Sequence, residues 1–247
     1  MLYQFELTTH CNLSCFYCPI ESLKKIHMDF KKFCFFIDEI ETQSYVKLQG
    51  TGEAMLHPEF DKFLFYVKQK GHFTDIITNG TVEISDTRLK NIDRIGFSID
   101  SLDEKFAHEN GRKNLDKVLK NLLNTHKRAP TKCMIFSVYY GQNISSLKAF
   151  SKQLNIPHII QNIQTKTSYQ TKYKTNKYYY KKYSCSFINE NKMKYYFADG
   201  TLAPCAYMIN VKDVLCKKEI KDMFSKSIVP KCCEQCGELV GKNRLLK

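Results

Sequence analysis

Apolar and polar positions alternate with two different periods along the larger, amino-terminal part of the chain. The run at 3–8 has an apolar residue at every second position, which predicts a strand. After a polar loop, apolar residues recur every three or four positions between Phe30 and Ile40, and Asp29 can cap this predicted helix. Further strands are predicted at 45–50, 73–79, 94–100, 132–140 and 157–163, and further helices at 58–71, after Ser85, from Leu115 and near 145–155.

The succession of six strand–helix units defines the predicted fold class. Units of this kind form a parallel sheet with right-handed crossovers, so we expect an α/β protein built on a partial (β/α)6 barrel. In such sheets the chemistry lies in loops at the carboxyl ends of the strands. Polar or glycine-rich loops follow the first four predicted strands at 8–22, Gly50–Glu53, Thr78–Gly80 and Ser98–Asp100.

The carboxyl-terminal part of the chain has a different composition. Residues 164–184 are poor in aliphatic side chains and rich in Lys, Tyr and Thr, which is typical of a linker. Beyond them the chain is rich in cysteine, and a period of two around Asp199–Gly200 predicts a β-hairpin. We therefore expect a barrel at 1–163, a Lys/Tyr-rich linker at 164–184, and a small Cys-rich extension containing a β-hairpin at 185–247.

The charge and the absence of targeting signals narrow the class of protein. The 247 residues include 38 Lys and Arg against 25 Asp and Glu, a net charge of +13 that favours anionic partners. Lysine predominates over arginine, so we do not expect nucleic acid as a partner. The sequence shows no signal peptide and no apolar run long enough for a membrane span. We expect a cytoplasmic protein with no membrane partner.

Three of the eleven cysteines, Cys11, Cys15 and Cys18, are spaced C-x-x-x-C-x-x-C in the first loop. Since cytosolic thiols stay reduced, clustered cysteines indicate a metal before a disulfide. A structural zinc ion would need a fourth ligand, from His10 or a remote cysteine. A redox disulfide would leave one thiol spare. A four-iron cluster on three thiolates uses all three and leaves one iron open to an outside ligand, and this interpretation is favoured.

The loop resembles the signature of the radical S-adenosylmethionine (SAM) superfamily. That signature is C-x-x-x-C-x-Φ-C, with Φ aromatic, and the segment CNLSCFYC places Tyr17 at the aromatic position. The resemblance implies that a [4Fe–4S] cluster binds the three cysteines and that SAM occupies its open iron. It further implies reductive cleavage of SAM to a 5′-deoxyadenosyl radical, which abstracts a hydrogen from the substrate. An electron donor such as flavodoxin or ferredoxin is implied as a partner.

The other loops resemble the superfamily's SAM-binding segments. In GTGEAMLHP, the resemblance implies that the Gly52 backbone meets the methionyl group of SAM and that Glu53 binds its ammonium. Thr51 departs from the family, which commonly has glycine there. The resemblance also implies that Ser98 and Asp100 meet the ribose or carboxylate and that Arg112 contacts SAM.

The late cysteines form a second group. A hairpin brings Cys185 toward Cys205, and Cys233-x-x-Cys236 can close a four-thiolate site, for which ligand count alone leaves zinc open. The spacing resembles the SPASM extension of radical SAM enzymes and its shortened form, twitch. This resemblance implies a second, auxiliary [4Fe–4S] cluster on Cys185, Cys205, Cys233 and Cys236. Cys232 is an alternative to Cys233, and Cys216 also lies in the gap.

Two substrate classes follow from the resemblance, and a third function stands outside it. The first expectation is a peptide maturase that modifies a ribosomally synthesised peptide, and the alternative is an oxidoreductase, a dehydrogenase of a small sugar-like molecule. Peptide maturases often carry an amino-terminal leader-binding element, which we do not expect here. From another class, a non-catalytic zinc-binding, nucleic-acid-binding protein would account for the charge and the cysteines.

Overall fold

The computed structural model describes residues 1–162, 180–190, 193–205, 207–208, 215–233, 236 and 239–244. Its strands are β1 (Leu2–Phe5), β2 (Tyr45–Leu48), β3 (Phe73–Thr78), β4 (Arg94–Ser98), β5 (Cys133–Tyr139), β6 (His158–Asn162), β7 (Tyr180–Ser184), β8 (Met193–Tyr196), β9 (Leu202–Ala203) and β10 (Val240–Arg244). Its α-helices are α1 (Phe30–Asp38), α2 (Phe60–Gln69), α3 (Asp86–Asn91), α4 (Glu104–Glu109), α5 (Leu115–Arg128), α6 (Ser145–Gln153), α7 (Ser186–Asn189) and α8 (Lys217–Ser225). None of the helices within these ranges has the length and apolar character needed to cross a membrane.

The predicted α/β fold with a parallel, barrel-type sheet is confirmed. Strands β1 to β6 lie side by side in chain order, and each neighbouring pair is parallel. Helices connect successive strands of this sheet. Helix α4, between β4 and the long helix α5, is an α-helix that was not predicted from the sequence.

The two faces of β1 explain how the sheet is oriented. Tyr3, Phe5 and Leu7 belong to the main hydrophobic core, where the Phe5 ring lies 4.9 Å from that of Phe33 on α1. Gln4 points to the opposite, inner face and lines a cavity. The period-two pattern therefore separates a helix-covered apolar face from a polar interior.

The predicted helix starts at Asp29 and Ser85 are confirmed. The Asp29 carboxylate accepts a hydrogen bond from the Lys32 amide, and the Ser85 hydroxyl accepts one from the Arg88 amide. Each cap satisfies an amide that has no partner within its own helix.

The predicted hairpin is confirmed, and its first strand extends the main sheet. Strands β8 and β9 pair antiparallel across the Asp199–Gly200 turn, and β8 lies parallel to β1. Tyr196 stacks on Phe5 with ring centroids 4.9 Å apart. The strand order is thus β6-β5-β4-β3-β2-β1-β8-β9.

A second, smaller core lies in the carboxyl-terminal part, where Ile188, Ile220 and Phe224 are buried together with Cys185. Strands β7 and β10 form a separate antiparallel pair. Most of the predicted linker, 164–184, lies outside the described residues, and its last five residues form β7. The three-part division of the chain stays a prediction.

Candidate active site

A cavity of about 470 Å³ opens at the carboxyl ends of the strands. Nine residues selected from the sequence line it: Cys11, Cys15, Tyr17, Cys18, Gly52, Glu53, Ser98, Asp100 and Arg112. The carboxyl-terminal part contributes Phe187, Met193, Tyr195 and Tyr207 to the same wall. Parallel strands end at one edge, so loops distant in sequence meet there.

The cysteine loop is held against the turn between α4 and α5. The amides of Ser14 and Phe16 donate to the carbonyls of Gly111 and Asn110, each at 3.2 Å. Gly111 has a φ of +80°, and a Cβ on it would lie 2.0 Å from the Ser14 carbonyl oxygen. Glycine is therefore required at this turn for the loop to approach it, a role that sequence reasoning missed.

The three thiols share the cavity wall in different environments. Burial raises the pKa of Cys11 and of Cys15, and the nearby Arg112 guanidinium opposes that rise at Cys15. The side-chain amide nitrogen of Asn79 lies 3.7 Å from the Cys11 sulfur, and the Cys18 sulfur lies 3.9 Å from the Thr51 carbonyl oxygen. Asn79 also donates to Asn12 at 2.8 Å, so an amide pair flanks the first cysteine.

The donor set, three thiols lining one cavity, is the one that an iron–sulfur cubane with an open iron requires. Among the residues that the structure describes, no three His, Cys, Asp or Glu side chains are grouped to hold a single ion. In a cubane each thiolate binds a different iron atom, so its three protein sulfurs stand apart around a volume. Cys11, Cys15 and Cys18 all line the same cavity, so their thiols face the volume that such a cluster would occupy.

The GTGE segment packs directly on the start of the cysteine loop. A Cβ on Gly52 would lie 2.3 Å from the Thr8 carbonyl oxygen, and the Glu53 amide donates to the His10 carbonyl at 2.8 Å. At Thr51, where the superfamily commonly has glycine, the amide donates to the buried Glu6 carboxylate at 2.6 Å. Glycine at position 52 therefore brings the two loops into contact.

Glu53 is a buried carboxylate that faces the cavity without a cation. It accepts hydrogen bonds from the Met55 backbone amide at 3.1 Å, the Thr78 hydroxyl at 3.0 Å and the Asn79 backbone amide at 2.6 Å. Burial raises its pKa, and these hydrogen bonds oppose the rise. No Lys, Arg or His of the described ranges forms an ion pair with it. Because a buried charge is costly without a counter-charge, this wall suits an ammonium group.

Asp100 and Arg112 form an ion pair that also lines the cavity. Arg112 Nε donates to Asp100 Oδ2 at 2.5 Å, its Nη1 donates to the Ser98 carbonyl at 3.0 Å, and its Nη2 donates to the Tyr17 hydroxyl. The Asp100 carboxylate also accepts hydrogen bonds from the Tyr17 hydroxyl at 2.9 Å and from the Val138 backbone amide at 2.8 Å.

The predicted site residues of this network make different kinds of contact. Asp100 already accepts three donors and holds Arg112 and Tyr17 in place, while Ser98 takes part through its backbone. Burial raises the pKa of Tyr17 well above its usual value, so its hydroxyl keeps its proton. Arg112 is the member whose positive charge can meet an anionic group in the cavity.

The late cysteines line a separate, smaller cavity of about 20 Å³. Cys185, Cys205, Cys233 and Cys236 all lie on its wall, among apolar side chains of the second core. Cys216 does not line this cavity; it caps α8 and is exposed. The side chain of Cys232 lies outside the described part of the structure. Tyr207 lines both cavities, a position that the sequence did not reveal.

Comparison with known sequences identifies the barrel. Residues 5–154 match the profile of the radical SAM superfamily. A tungsten-containing aldehyde ferredoxin oxidoreductase cofactor-modifying protein from Pyrococcus furiosus is 33% identical over 107 residues. That match covers 39% of this chain and 30% of the relative, so the chain spans about a third of the relative's length.

Solved structures share the fold at low sequence identity. Streptococcus suis SuiB bound to precursor peptide SuiA has a TM-score of 0.68 and 15% identity, covering 91% of this chain and 64% of SuiB. The protein anSMEcpe, solved with SAM and the Cp18Cys peptide, has a TM-score of 0.63 and 18% identity, covering 95% and 82%. BtrN, in complex with SAM and 2-DOIA, has a TM-score of 0.55 and 16% identity, covering 96% and 92%.

The sequence match shows the family, and the solved structures share the fold. The profile covers most of the barrel, including the cysteine loop, the GTGE segment and Arg112. The structures that align over nearly the whole chain have the same architecture. This chain belongs to the radical SAM superfamily.

Proposed function

We propose that the protein is a radical SAM enzyme whose reaction takes place in the 470 Å³ cavity. The observation that carries this proposal is the placement on one cavity of three thiols and the buried carboxylate of Glu53, which forms no ion pair with any described residue. Cys11, Cys15 and Cys18 would hold a [4Fe–4S] cluster with one open iron for SAM. When bound, the cluster and SAM supply a 5′-deoxyadenosyl radical that removes a hydrogen atom from an unactivated carbon.

The walls of the cavity provide complementary charges for SAM. Glu53 is placed to accept hydrogen bonds from an ammonium group, and Gly52 allows close approach of the backbone beside it. Arg112, which lines the same cavity, is placed to bind a carboxylate, with Asp100 and Tyr17 fixing its orientation. Each charged group of an amino-acid moiety thus has an opposite charge available.

We further propose an auxiliary [4Fe–4S] cluster in the second cysteine cavity, with Cys185, Cys205, Cys233 and Cys236 as ligands. The support is that all four side chains line one cavity surrounded by apolar residues. In the domain division that we propose, this site belongs to the extension at 185–247 that follows the barrel. Tyr207, which lines both cavities, would lie between substrate and auxiliary cluster.

The proposed substrate is a ribosomally synthesised peptide. SuiB and anSMEcpe, which share the fold, were each solved with a peptide. The net charge of +13 favours an acidic peptide over a basic one. An electron donor such as flavodoxin or ferredoxin, both acidic classes of protein, would bind by the same long-range attraction.

A small sugar-like molecule is the second candidate substrate. It is supported by BtrN, of which this chain covers 92% and which was solved with the small molecule 2-DOIA. Membership of the radical SAM superfamily argues against the zinc-binding alternative.

The enzyme proposal is tested by anaerobic reconstitution. We expect about eight irons per chain for two [4Fe–4S] clusters, and 5′-deoxyadenosine on addition of SAM and a reductant. Cys11→Ala, Cys15→Ala and Cys18→Ala should each abolish 5′-deoxyadenosine, whereas Cys34→Ala, outside both cavities, should retain it. Production of 5′-deoxyadenosine by the first three variants would overturn the assignment of the cluster.

The auxiliary site has its own control. Cys205→Ala and Cys236→Ala should lower the iron content by about four atoms per chain, and Cys216→Ala should not. Equal iron in all three variants would remove the second cluster from the proposal. Mass spectrometry of a candidate precursor peptide and a candidate sugar-like molecule, each incubated with the enzyme, decides between the substrate classes.

A further inference from the structure

A row of polar side chains crosses the inner face of the sheet below the SAM site. The strand register places Gln4 beside Lys47, Lys47 beside Asp75, and Asp75 beside Arg94. Val46 and Leu48, on either side of Lys47, are fully buried in the helix-covered core. Lys47 therefore belongs to the inner face, and its side chain lines the cavity.

Two cations share one carboxylate in this row. Arg94 binds Asp75 through both ends of its guanidinium, with Nε 3.1 Å from Oδ1 and Nη2 2.6 Å from Oδ2. Lys47 Nζ lies 3.3 Å from the same Oδ2. The side chain of Asp75 is 2% exposed. A bidentate guanidinium already neutralises Asp75, so Lys47 leaves a surplus positive charge in the wall.

The ammonium of Lys47 has unused hydrogen-bonding capacity. It carries three N–H donors. Within the described residues its one charged contact is Asp75, and no hydrogen bond to another acceptor accompanies that contact. Its side chain is 16% exposed and lines the cavity, so a ligand in the cavity can supply the missing acceptors. A partly buried cation in this condition favours an anionic ligand.

The other buried carboxylates near this end of the sheet and in the cavity do not neutralise Lys47. Glu6, the residue directly after β1, accepts hydrogen bonds from the Thr51 amide at 2.6 Å and from the Tyr195 hydroxyl at 3.1 Å. It forms no ion pair with Lys47 within 4 Å. Glu53 and Asp100 are engaged by the hydrogen bonds described above.

We propose that Lys47 is the anchor of the substrate, binding a carboxylate at the inner end of the cavity. The inference rests on the proposed function, since it takes the substrate to be a peptide that lies between Lys47 and the SAM site. A single surplus positive charge matches a singly charged carboxylate better than a doubly charged phosphate. The carboxylate belongs to an acidic side chain or to the peptide's carboxyl terminus.

The test compares three probes that differ in one charge. N-acetyl-glutamate N-methylamide carries a side-chain carboxylate, N-acetyl-glutamine carries a terminal carboxylate, and N-acetyl-glutamine N-methylamide is neutral. Each is titrated calorimetrically into the anaerobically reconstituted, SAM-loaded protein without reductant. At least one carboxylate probe should bind about tenfold more tightly than the neutral one, equivalent to about 1.4 kcal/mol. The probe that does so identifies the source of the carboxylate.

Variants of Lys47 separate the anchor from the general positive charge. Lys47→Met should remove the preference for carboxylate, Lys47→Arg should retain it, and Lys62→Met, which removes an exposed lysine of α2, should leave it unchanged. Circular dichroism reports folding, and Lys47→Gln replaces Lys47→Met if the latter does not fold. Equal binding of the three probes, or a preference that survives in Lys47→Met, would overturn the proposal.

The proposal for Lys47 and the proposal that the protein is a radical SAM enzyme can each be refuted without the other. Binding of the probes requires no electron, whereas 5′-deoxyadenosine formation does. Wild-type protein that produces 5′-deoxyadenosine but binds all probes equally contradicts the role of Lys47 alone. Protein that selects a carboxylate through Lys47 but forms no 5′-deoxyadenosine contradicts the enzyme proposal.

Discussion

Replacing Gly111 by alanine tests how the cysteine loop is positioned. Gly111 has a φ of +80°, and an added Cβ would lie 2.0 Å from the Ser14 carbonyl oxygen. Since real Cβ atoms stay at least 3.0 Å from such neighbours, the two segments must separate by about 1 Å. Ser14 directly precedes Cys15, so the displacement acts on a proposed cluster ligand.

The expected loss of unfolding free energy in Gly111→Ala has two parts. A left-handed backbone conformation costs an L-residue about 1–2 kcal/mol, and overpacking adds about 1–3 kcal/mol. Gly71 isolates the first part, because its φ is +77° and nothing lies within 4 Å of an added Cβ. Gly111→Ala should therefore lose about 2–5 kcal/mol of unfolding free energy and Gly71→Ala about 1–2 kcal/mol.

Urea unfolding of the apoproteins measures both free energies, and reconstitution measures the consequence for the cluster. Gly111→Ala should retain less iron and form less 5′-deoxyadenosine than wild type, whereas Gly71→Ala should match wild type in both. Equal losses of stability in the two variants, with equal iron content, would refute the claim that this turn positions the loop.

Three further predictions concern buried ionisable groups. Asp100→Asn leaves the buried Arg112 without its carboxylate and should cost about 3–5 kcal/mol in urea unfolding; a loss under 1 kcal/mol would contradict the pairing. Burial raises the pKa of Cys133 to about 11, so at pH 8 about one thiol in a thousand is ionised, and iodoacetamide should modify the exposed Cys216 far faster in folded apoprotein. Burial raises the pKa of Glu53, so the folded state binds the Glu53 proton more tightly than the unfolded state does. The free energy of unfolding of the wild type, relative to that of Glu53→Gln, should therefore fall as pH rises from about 4.5. A rise in this difference over that range would contradict the prediction.

The barrel could be predicted from sequence because its signals are local. A period of two marks each strand, a helical period marks each helix, and side-chain caps such as Asp29 mark where helices begin. The placement of β8 beside β1 could not be predicted, because strand partners remote in sequence leave no local pattern. Tyr195 and Tyr196 show the alternation of a strand but do not identify the strand beside which they lie.

The same distinction applies to the site. The cysteine spacing and the GTGE segment are contiguous motifs, and their positions after predicted strands were enough to place them at one edge of the sheet. Lys47 had no such signal, because its surplus charge arises only when the register places it beside Asp75 and Arg94. Gly111 likewise became informative only once its neighbour, Ser14, was known.

One buried carboxylate, Glu6 after β1, connects the carboxyl-terminal part of the chain to the GTGE segment of the cavity. Glu6 accepts hydrogen bonds from the Thr51 amide in the GTGE segment and from the Tyr195 hydroxyl on β8. Because burial removes competing water, losing either donor would leave the carboxylate underbonded. The position of β8 and the position of the loop beside Gly52 are therefore energetically linked. Phe187 and Tyr207 also line the cavity, so the part of the chain that carries the late cysteines helps to shape the pocket in which we place the substrate.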